Sequence, residues 1–295
     1  MENPLADRAA SDPEDRELVR QAQAGDRDAL EQLIARHQGW IYNIVRRMVY
    51  HAHDAEDATQ EVLIKVLTKL STFEGRSSVR TWLYRIVVNH VLNMKRSPAE
   101  AAGWTFQRYG DVMATVPDED LPDQQSMPVD VQLLVDEARM SCTSGMLLCL
   151  DREQRLVLIL GEIFGVTDVV GAELLEISRA NFRQKLARAR RDLYSFMQNK
   201  CGLVNTANPC RCAKKTRTFM RAGFVDPGNL LFAQSHVIRM KEVAARTHEH
   251  LDAIDRSYGT LQREHPFHDS PDFVASLRSL LAQPGLQSIL GGGKS

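Results

Sequence analysis

Residues 54–96 read DAEDATQEVLIKVLTKLSTFEGRSSVRTWLYRIVVNHVLNMKR, and this stretch decides the fold. Ala55, Ala58, Val62, Leu63, Val66, Leu67 and Leu70 recur at spacings of three and four, the signature of a helix with one apolar face. Asp57, Gln60, Glu61, Lys65 and Lys69 fall on the other side, so this face is acidic to mixed. The polar bend Phe73-Glu74-Gly75-Arg76-Ser77-Ser78 then supplies a serine N-cap for a second helix. Val79, Trp82, Leu83, Ile86, Val87, His90, Val91 and Met94 form its core stripe, opposite Arg80, Arg85, Asn89, Asn93, Lys95 and Arg96.

Upstream, Asp15 to Ala24 fits a short helix that Gly25 ends, and Asp26 caps the next, with Leu30, Leu33 and Ile34 on one face. Trp40, Ile41, Ile44, Val45, Met48 and Val49 continue that period to a turn at 51–53, so residues 15–96 read as one helical domain. Residues 1–14, acidic and polar, read as a disordered N-terminus unlike a secretory leader.

Residues 97–130 contain four prolines and eight charged residues, of which only Arg108 is basic; they read as a flexible acidic linker. A second helical domain follows at 131–198. Asp151 caps a helix carrying Leu156, Val157, Ile159, Leu160 and Ile163, which Gly165 ends. A short segment at 168–175, the turn Glu176-Ile177-Ser178 and a helix from Arg179 to about Met197 make a helix-turn-helix pattern. Phe182, Leu186, Ala189 and Leu193 are its buried stripe, while Arg179, Arg183, Lys185, Arg188, Arg190 and Arg191 give a one-signed charge excess. A basic helix is commonly just a solvated face. Here few acids stand at i,i+4, and the charges directly follow the turn that would present them to a major groove, which favours DNA contact.

Residues 199–295 read as an extension. A turn-rich loop holds Cys201, Cys210 and Cys212, and Asp226-Pro227 opens a long helix with the seam Val237, Met240, Ala244, Thr247, Leu251, Ile254, Tyr258 and Leu261. Packing on another helix of the chain is the plain reading of that seam; dimerisation or docking of a regulatory protein is the alternative. Ser270-Pro271 begins a short helix with Phe273, Val274, Leu277, Leu280 and Leu281, before a disordered tail at Gly291–Gly293. The fold class is therefore all-α: two small helical domains, a flexible acidic linker and a helical extension.

The composition bounds what such a chain does. Of 295 residues a quarter are charged, yet the net charge is only −1, so no global field marks a nucleic-acid binder and the charge must be read locally. No apolar run reaches the roughly 18 residues of a membrane span, which points to a cytoplasmic protein. Five cysteines, an odd number, fit reduced thiols. No phosphate-cradling loop, zinc-protease helix or nucleophile elbow occurs, so the expectation is a non-enzyme without cofactors. Cys201, Cys210 and Cys212 lack the usual zinc spacing, although His236 could add a fourth ligand; buried thiols are the plainer reading, with Cys142 and Cys149 in the core.

The run D-A-E-D-A-T-Q-E-V followed by F-x-G-x-S-x-x-R-T-W-L-Y-R-I-x-x-N resembles the second conserved region of bacterial sigma-70 family factors of the extracytoplasmic-function type, without a gap. Ile177-Ser178, Leu186 and Arg188-Ala189-Arg190 match the family's fourth region, which reads the minus-thirty-five promoter element; Val170-Gly171 departs from it, where the family has a glutamate and an aliphatic residue. The resemblance implies core RNA polymerase and promoter DNA as partners, with an anti-sigma or other regulatory protein as a further one. Asp54, Asp57, Gln60 and Glu61 are then the expected polymerase contacts. Arg76, Ser77, Ser78, Arg80, Trp82, Arg85 and Asn89 are the expected minus-ten contacts, offering cations for phosphates, an aromatic face for an unstacked base and a polar pocket. Trp82 serves equally as core or as base platform. With only Phe73, Trp82 and Tyr84 aromatic here, intrinsic melting is expected to be weak. Ser178, Arg179, Asn181, Arg183 and Lys185 are expected at bases of the minus-thirty-five element, and Arg188 and Arg191 at phosphates. The resemblance also runs the acidic linker along the polymerase RNA path. A stand-alone helix-turn-helix regulator, or a metal- or redox-sensing regulator acting through the extension, are the alternatives.

Overall fold

The computed structural model describes residues 13–127, 129–230, 268 and 270–281, and every regular element among them is helical. Helix α1 (Pro13–Gln23) starts two residues before the expected Asp15, and Gly25 at φ +96° turns the chain out of it. Asp26 then caps α2 (Arg27–Val49), its carboxylate accepting from the N–H groups of Asp28 and Ala29, and α2 runs unbroken through Gly39. Helices α3 (Ala52–Lys69) and α4 (Val79–Asn93) are the predicted pair. Ser78 caps α4 by accepting from Thr81 N–H, as the bend requires.

Helix α1 fastens that bend. Gln23 donates to the carbonyls of Leu70 (2.9 Å) and Phe73 (3.0 Å), and Arg16 donates to those of Gly75 and Ser77 (3.3 Å each). Asp15 is itself buried between Arg36 (2.8 Å) and His37 (3.0 Å), and the Trp40 indole donates to His37 Nδ1. Burial alone would raise the Asp15 pKa, but hydrogen bonds and charge from His37 and Arg36 outweigh it and hold the carboxyl below its ordinary range.

The stretch expected to be a flexible acidic linker is instead built. Ser97 and Glu100 close a capping box on α5 (Pro98–Ala101), and α6 (Phe106–Thr115) packs Phe106 and Tyr109 on Phe196. Composition misses this because the anchors are few and distant in sequence. Glu100, 3% exposed at its side chain, lies between Arg152 (2.6 Å) and Arg155 (2.9 Å). Arg152 also donates to the carbonyls of Leu92 and Met94, and Arg155 to those of Met48, Leu147 and Leu150.

Those arginines belong to α8 (Arg152–Leu158), which follows α7 (Val131–Met146) and continues as a π-helical turn to Ile163, with Gly165 at φ +68° ending it. The two modules do not keep separate cores. Leu156, Ile159, Leu160, Phe164 and Leu174 join Leu33, Ile41, Ile44, Val62 and Val87 in one buried cluster. Val157 and Leu158 of α8 pack within their own module, on Phe182 and on Ala189 and Leu193, while Leu156 and the π turn face α2 and α4. Helices α9 (Asp168–Leu174) and α10 (Arg179–Lys200) complete this half.

In the extension, α11 (Cys212–Arg221) lies on α7 through Phe219, Leu134 and Ala138. Its cations meet the acidic run of the linker: Lys214 reaches Asp120 (2.6 Å), Lys215 Asp118 (2.8 Å) and Arg221 Glu119 (2.7 Å). Asp226-Pro227 does not begin a helix within the described residues; Asp226 accepts from Gly228 N–H in a turn. The seam from Val237 to Leu261, His236, residues 1–12 and the Gly291–Gly293 tail lie outside the described residues. Helix α12 (Phe273–Leu281) returns to α2, burying Phe273 and Leu277, with a reciprocal pair of hydrogen bonds between Asn43 and the His268 backbone.

Replacing Glu100 by alanine leaves two poorly solvated guanidinium groups facing each other. Urea denaturation is expected to show a loss of about 3–5 kcal/mol, the range for breaking one side of a buried pair.

Candidate nucleic-acid interface

Two exposed faces carry the residues singled out in the sequence. On α3, Asp57 and Glu61 are exposed and Asp54 and Gln60 half-buried, one turn apart along the helix. Asp57 stands 3.2 Å from His53. Glu61 lies 3.6 Å from Nε2 of His90, a buried α4 residue whose Nδ1 is 2.6 Å from Lys65 Nζ. An ammonium can only donate, so Nδ1 accepts and the ring is neutral, with its Nε2–H turned toward Glu61. Burial first, and the Lys65 charge second, push the His90 pKa down against the opposing pull of Glu61.

On the bend and α4, Arg76 is exposed and paired with Glu74 at 2.5 Å. Ser77, Ser78 and Arg80 are half-buried beside it, and Asn89 is exposed a helix length away. Trp82 is half-buried, its ring 5.4 Å from that of Phe73, so one side is committed to packing. Tyr84, counted among the three aromatics of the opened strand, is buried in the core at 4.5 Å from Trp40. It offers no face to a base, because α4 turns it toward α2. Arg85 is held by Glu173 of α9, so one expected DNA contact faces the helix-turn-helix unit.

In that unit Ser178 caps α10 by accepting from Asn181 N–H, and Glu176 adopts φ 55° to make the turn. Gly171 explains the departure from the resembled pattern. A Cβ there would stand 2.3 Å from the Phe182 ring, so the glycine lets α9 and α10 cross closely. Phe182, Ala189 and Leu193 are buried, which places Ala180, Arg183, Gln184, Ala187, Arg188 and Arg191 on the exposed face, with Arg179 at its edge. Ser178 is exposed and Asn181 half-buried at the start of the helix. Lys185 falls on the flank and pairs with Glu153 at 2.6 Å, and Arg190 pairs with the buried Glu162. The structure therefore separates two of the six cations from the outward face. It adds Gln184, which charge alone did not pick out but which the 3.6-residue period from Ala180 to Ala187 and Arg191 would have.

Comparison with known proteins gives a family match and a set of related proteins. The Sigma-70 region 2 family matches residues 33–100, spanning α2 to α5. RNA polymerase sigma factor YlaC of Bacillus subtilis is 30% identical over 172 residues, which cover 58% of this chain and 93% of that one. The ECF RNA polymerase sigma-E factor of Haemophilus influenzae is 26% identical over 189 residues, 62% of this chain and 95% of its own. The RNA polymerase sigma-H factor of Pseudomonas aeruginosa is 36% identical over 92 residues, 30% of this chain; there the chain spans about half the relative, 48%.

The His90 shift has a measurable sign. Its folded pKa lies below the ordinary 6.5, so between those values the unfolded chain binds more protons and stability falls as pH drops. Thermal melts from pH 7.5 to 5 should show this loss beginning near 6.5, and a flatter profile for His90→Gln.

Proposed function

The chain belongs to the sigma-70 family of RNA polymerase sigma factors, of the extracytoplasmic-function type, and on that premise we propose how its two faces divide the work of promoter-specific initiation. It binds core RNA polymerase, reads a minus-ten and a minus-thirty-five element, and helps open the start-proximal duplex. The chain contributes binding and positioning, and the polymerase the chemistry. The observation that carries this reading is the presence on one chain of an acidic α3 face and a basic helix-turn-helix face, within a region-2 match.

Asp54, Asp57, Gln60 and Glu61 form the polymerase-docking face. Arg76, Ser77, Ser78, Arg80 and Asn89 line the opened strand, with the outer side of Trp82 as the stacking surface and Arg85 joining once Glu173 releases it. Ser178, Arg179, Asn181, Arg183 and Gln184 meet upstream bases, being at the start of α10 or on its outward face, and Arg188 and Arg191, further along that face, meet phosphates. Lys185 contributes to the duplex only after leaving Glu153.

The two elements lie roughly 85 Å apart on straight duplex, from their names and about 3.4 Å per base pair. A compact chain of this size has a radius of gyration of only about 19 Å. Modules that share a core cannot occupy both elements, so α8–α10 must part from α2–α4 when the promoter is engaged. The acidic linker then has to leave α11 as well.

Run-off transcription with purified core polymerase over a library of upstream sequences should yield promoter-specific transcripts that depend on this chain; no transcript from any sequence would sink the sigma reading. In the same system, charge reversal at Asp57 and Glu61 should lower polymerase affinity about tenfold or more, roughly 1.4 kcal/mol, with helicity retained. Unchanged affinity would remove α3 as the docking face.

On α10, Arg183→Ala and Gln184→Ala should each cost about 1–3 kcal/mol at one base pair and relax preference there. Binding measured across single-base variants of the upstream element checks this, and a uniform loss would mark a phosphate contact instead.

A further inference from the structure

Four of the five cysteines end on one cavity. Cys142 of α7, Cys201 and Cys210 of the loop between α10 and α11, and Cys212 at the start of α11 line a space of about 310 Å³, with Met113 and Met146 also on its wall. Nothing in sequence spacing unites them; Cys142 reads there as an ordinary core residue. Cys149 is not part of the lining.

The surroundings of these sulfurs are arranged for negative charge. The charge of Arg139 acts on Cys201 and Cys212, and the charges of Lys215 and Arg211 act on Cys210. Gly202 makes the arrangement possible. A Cβ there would stand 2.0 Å from the Cys210 carbonyl oxygen, so only glycine lets the two cysteine strands of the loop approach this closely. Lys215 and Arg139 also border the cavity, cations placed to offset an anionic centre. Yet burial raises all four thiols, Cys212 to about 12.

We propose that this cavity is a metal site in which Cys142, Cys201, Cys210 and Cys212 hold one thiophilic divalent cation, zinc by the softness and number of the ligands. In the structure all four thiols are free, and no three ligand side chains of the described residues are already gathered at metal-binding spacing. Binding therefore draws the sulfurs inward across the cavity. Each coordinating thiol gives its proton to solvent, so uptake is pH-dependent and strengthens as pH rises. The ion would also brace the loop that carries α11, the helix whose lysines and arginine hold the acidic linker.

Full-length protein purified under reducing conditions tests this by elemental analysis and by cobalt(II) titration after chelation. The expected result is about one zinc per chain, a tetrahedral thiolate–cobalt spectrum, and zinc protection of four cysteines, but not Cys149, from alkylation. Cys210→Ser with Cys212→Ser should weaken binding at least tenfold and abolish the charge-transfer band, whereas Cys149→Ser should change neither. The wild-type spectrum and the alkylation pattern need no variant, so misfolding of the double serine form does not blunt the test. A chain that takes up neither metal, a cobalt spectrum without thiolate bands, or a native disulfide between Cys201 and Cys210 would each overturn the site.

Discussion

Glu100 places a carboxylate where almost no water reaches it, and it is tolerated there because Arg152 and Arg155 approach from α8 with their remaining N–H groups already committed to backbone carbonyls. The carbonyls of Met48, Leu92 and Met94 are orphan acceptors at the ends of α2 and α4, whereas those of Leu147 and Leu150 lie in the turn between α7 and α8. One acid and two bases thus terminate two helices, fix that turn, seat the linker and align α8 against the first module. Buried ion pairs of this kind add little net stability, but removing one member is costly, so the arrangement specifies geometry more than it strengthens the fold.

With α8 aligned in this way, the rest of the closed form follows. The π turn after α8 carries Ile159, Leu160 and Phe164 into the core of the first module, and α9 comes near enough to α4 for Glu173 to hold Arg85. The extension clasps the same body at two further points: α11 neutralises the acidic linker, and α12 lays Phe273 beside Tyr42 on α2. In this form Arg85 is turned to Glu173 and Lys185 to Glu153. The ion pairs at exposed positions are individually weak and salt-screened, whereas the shared apolar cluster is not, so the core governs how firmly the two modules hold together.

Helix α10 shows how charge and direction differ as signals. Six cations in one helix make α10 basic as a whole, but Lys185 and Arg190 are turned to Glu153 and Glu162. Gln184, uncharged, stands on the outward face with Arg183 and Arg188. The period of 3.6 already held this information; reading charge before phase hid it. Tyr84 makes the same point on α4, where an aromatic counted for base stacking is core.

By itself the sequence determined the all-helical class, the α3–α4 pair with its serine cap, the helix-turn-helix and the family to which they belong, because caps, periodicity and contiguous motifs are local and survive without a partner. Only the tertiary structure decided that the linker is helical and anchored, that the two modules share a core, and that Cys142 belongs with Cys201, Cys210 and Cys212. These depend on contacts between residues 50 to 100 positions apart, such as Glu100 with Arg152 and Arg155. No periodic pattern encodes such pairings; they are chosen when buried charge and apolar surface find the one arrangement that leaves neither exposed to the wrong medium.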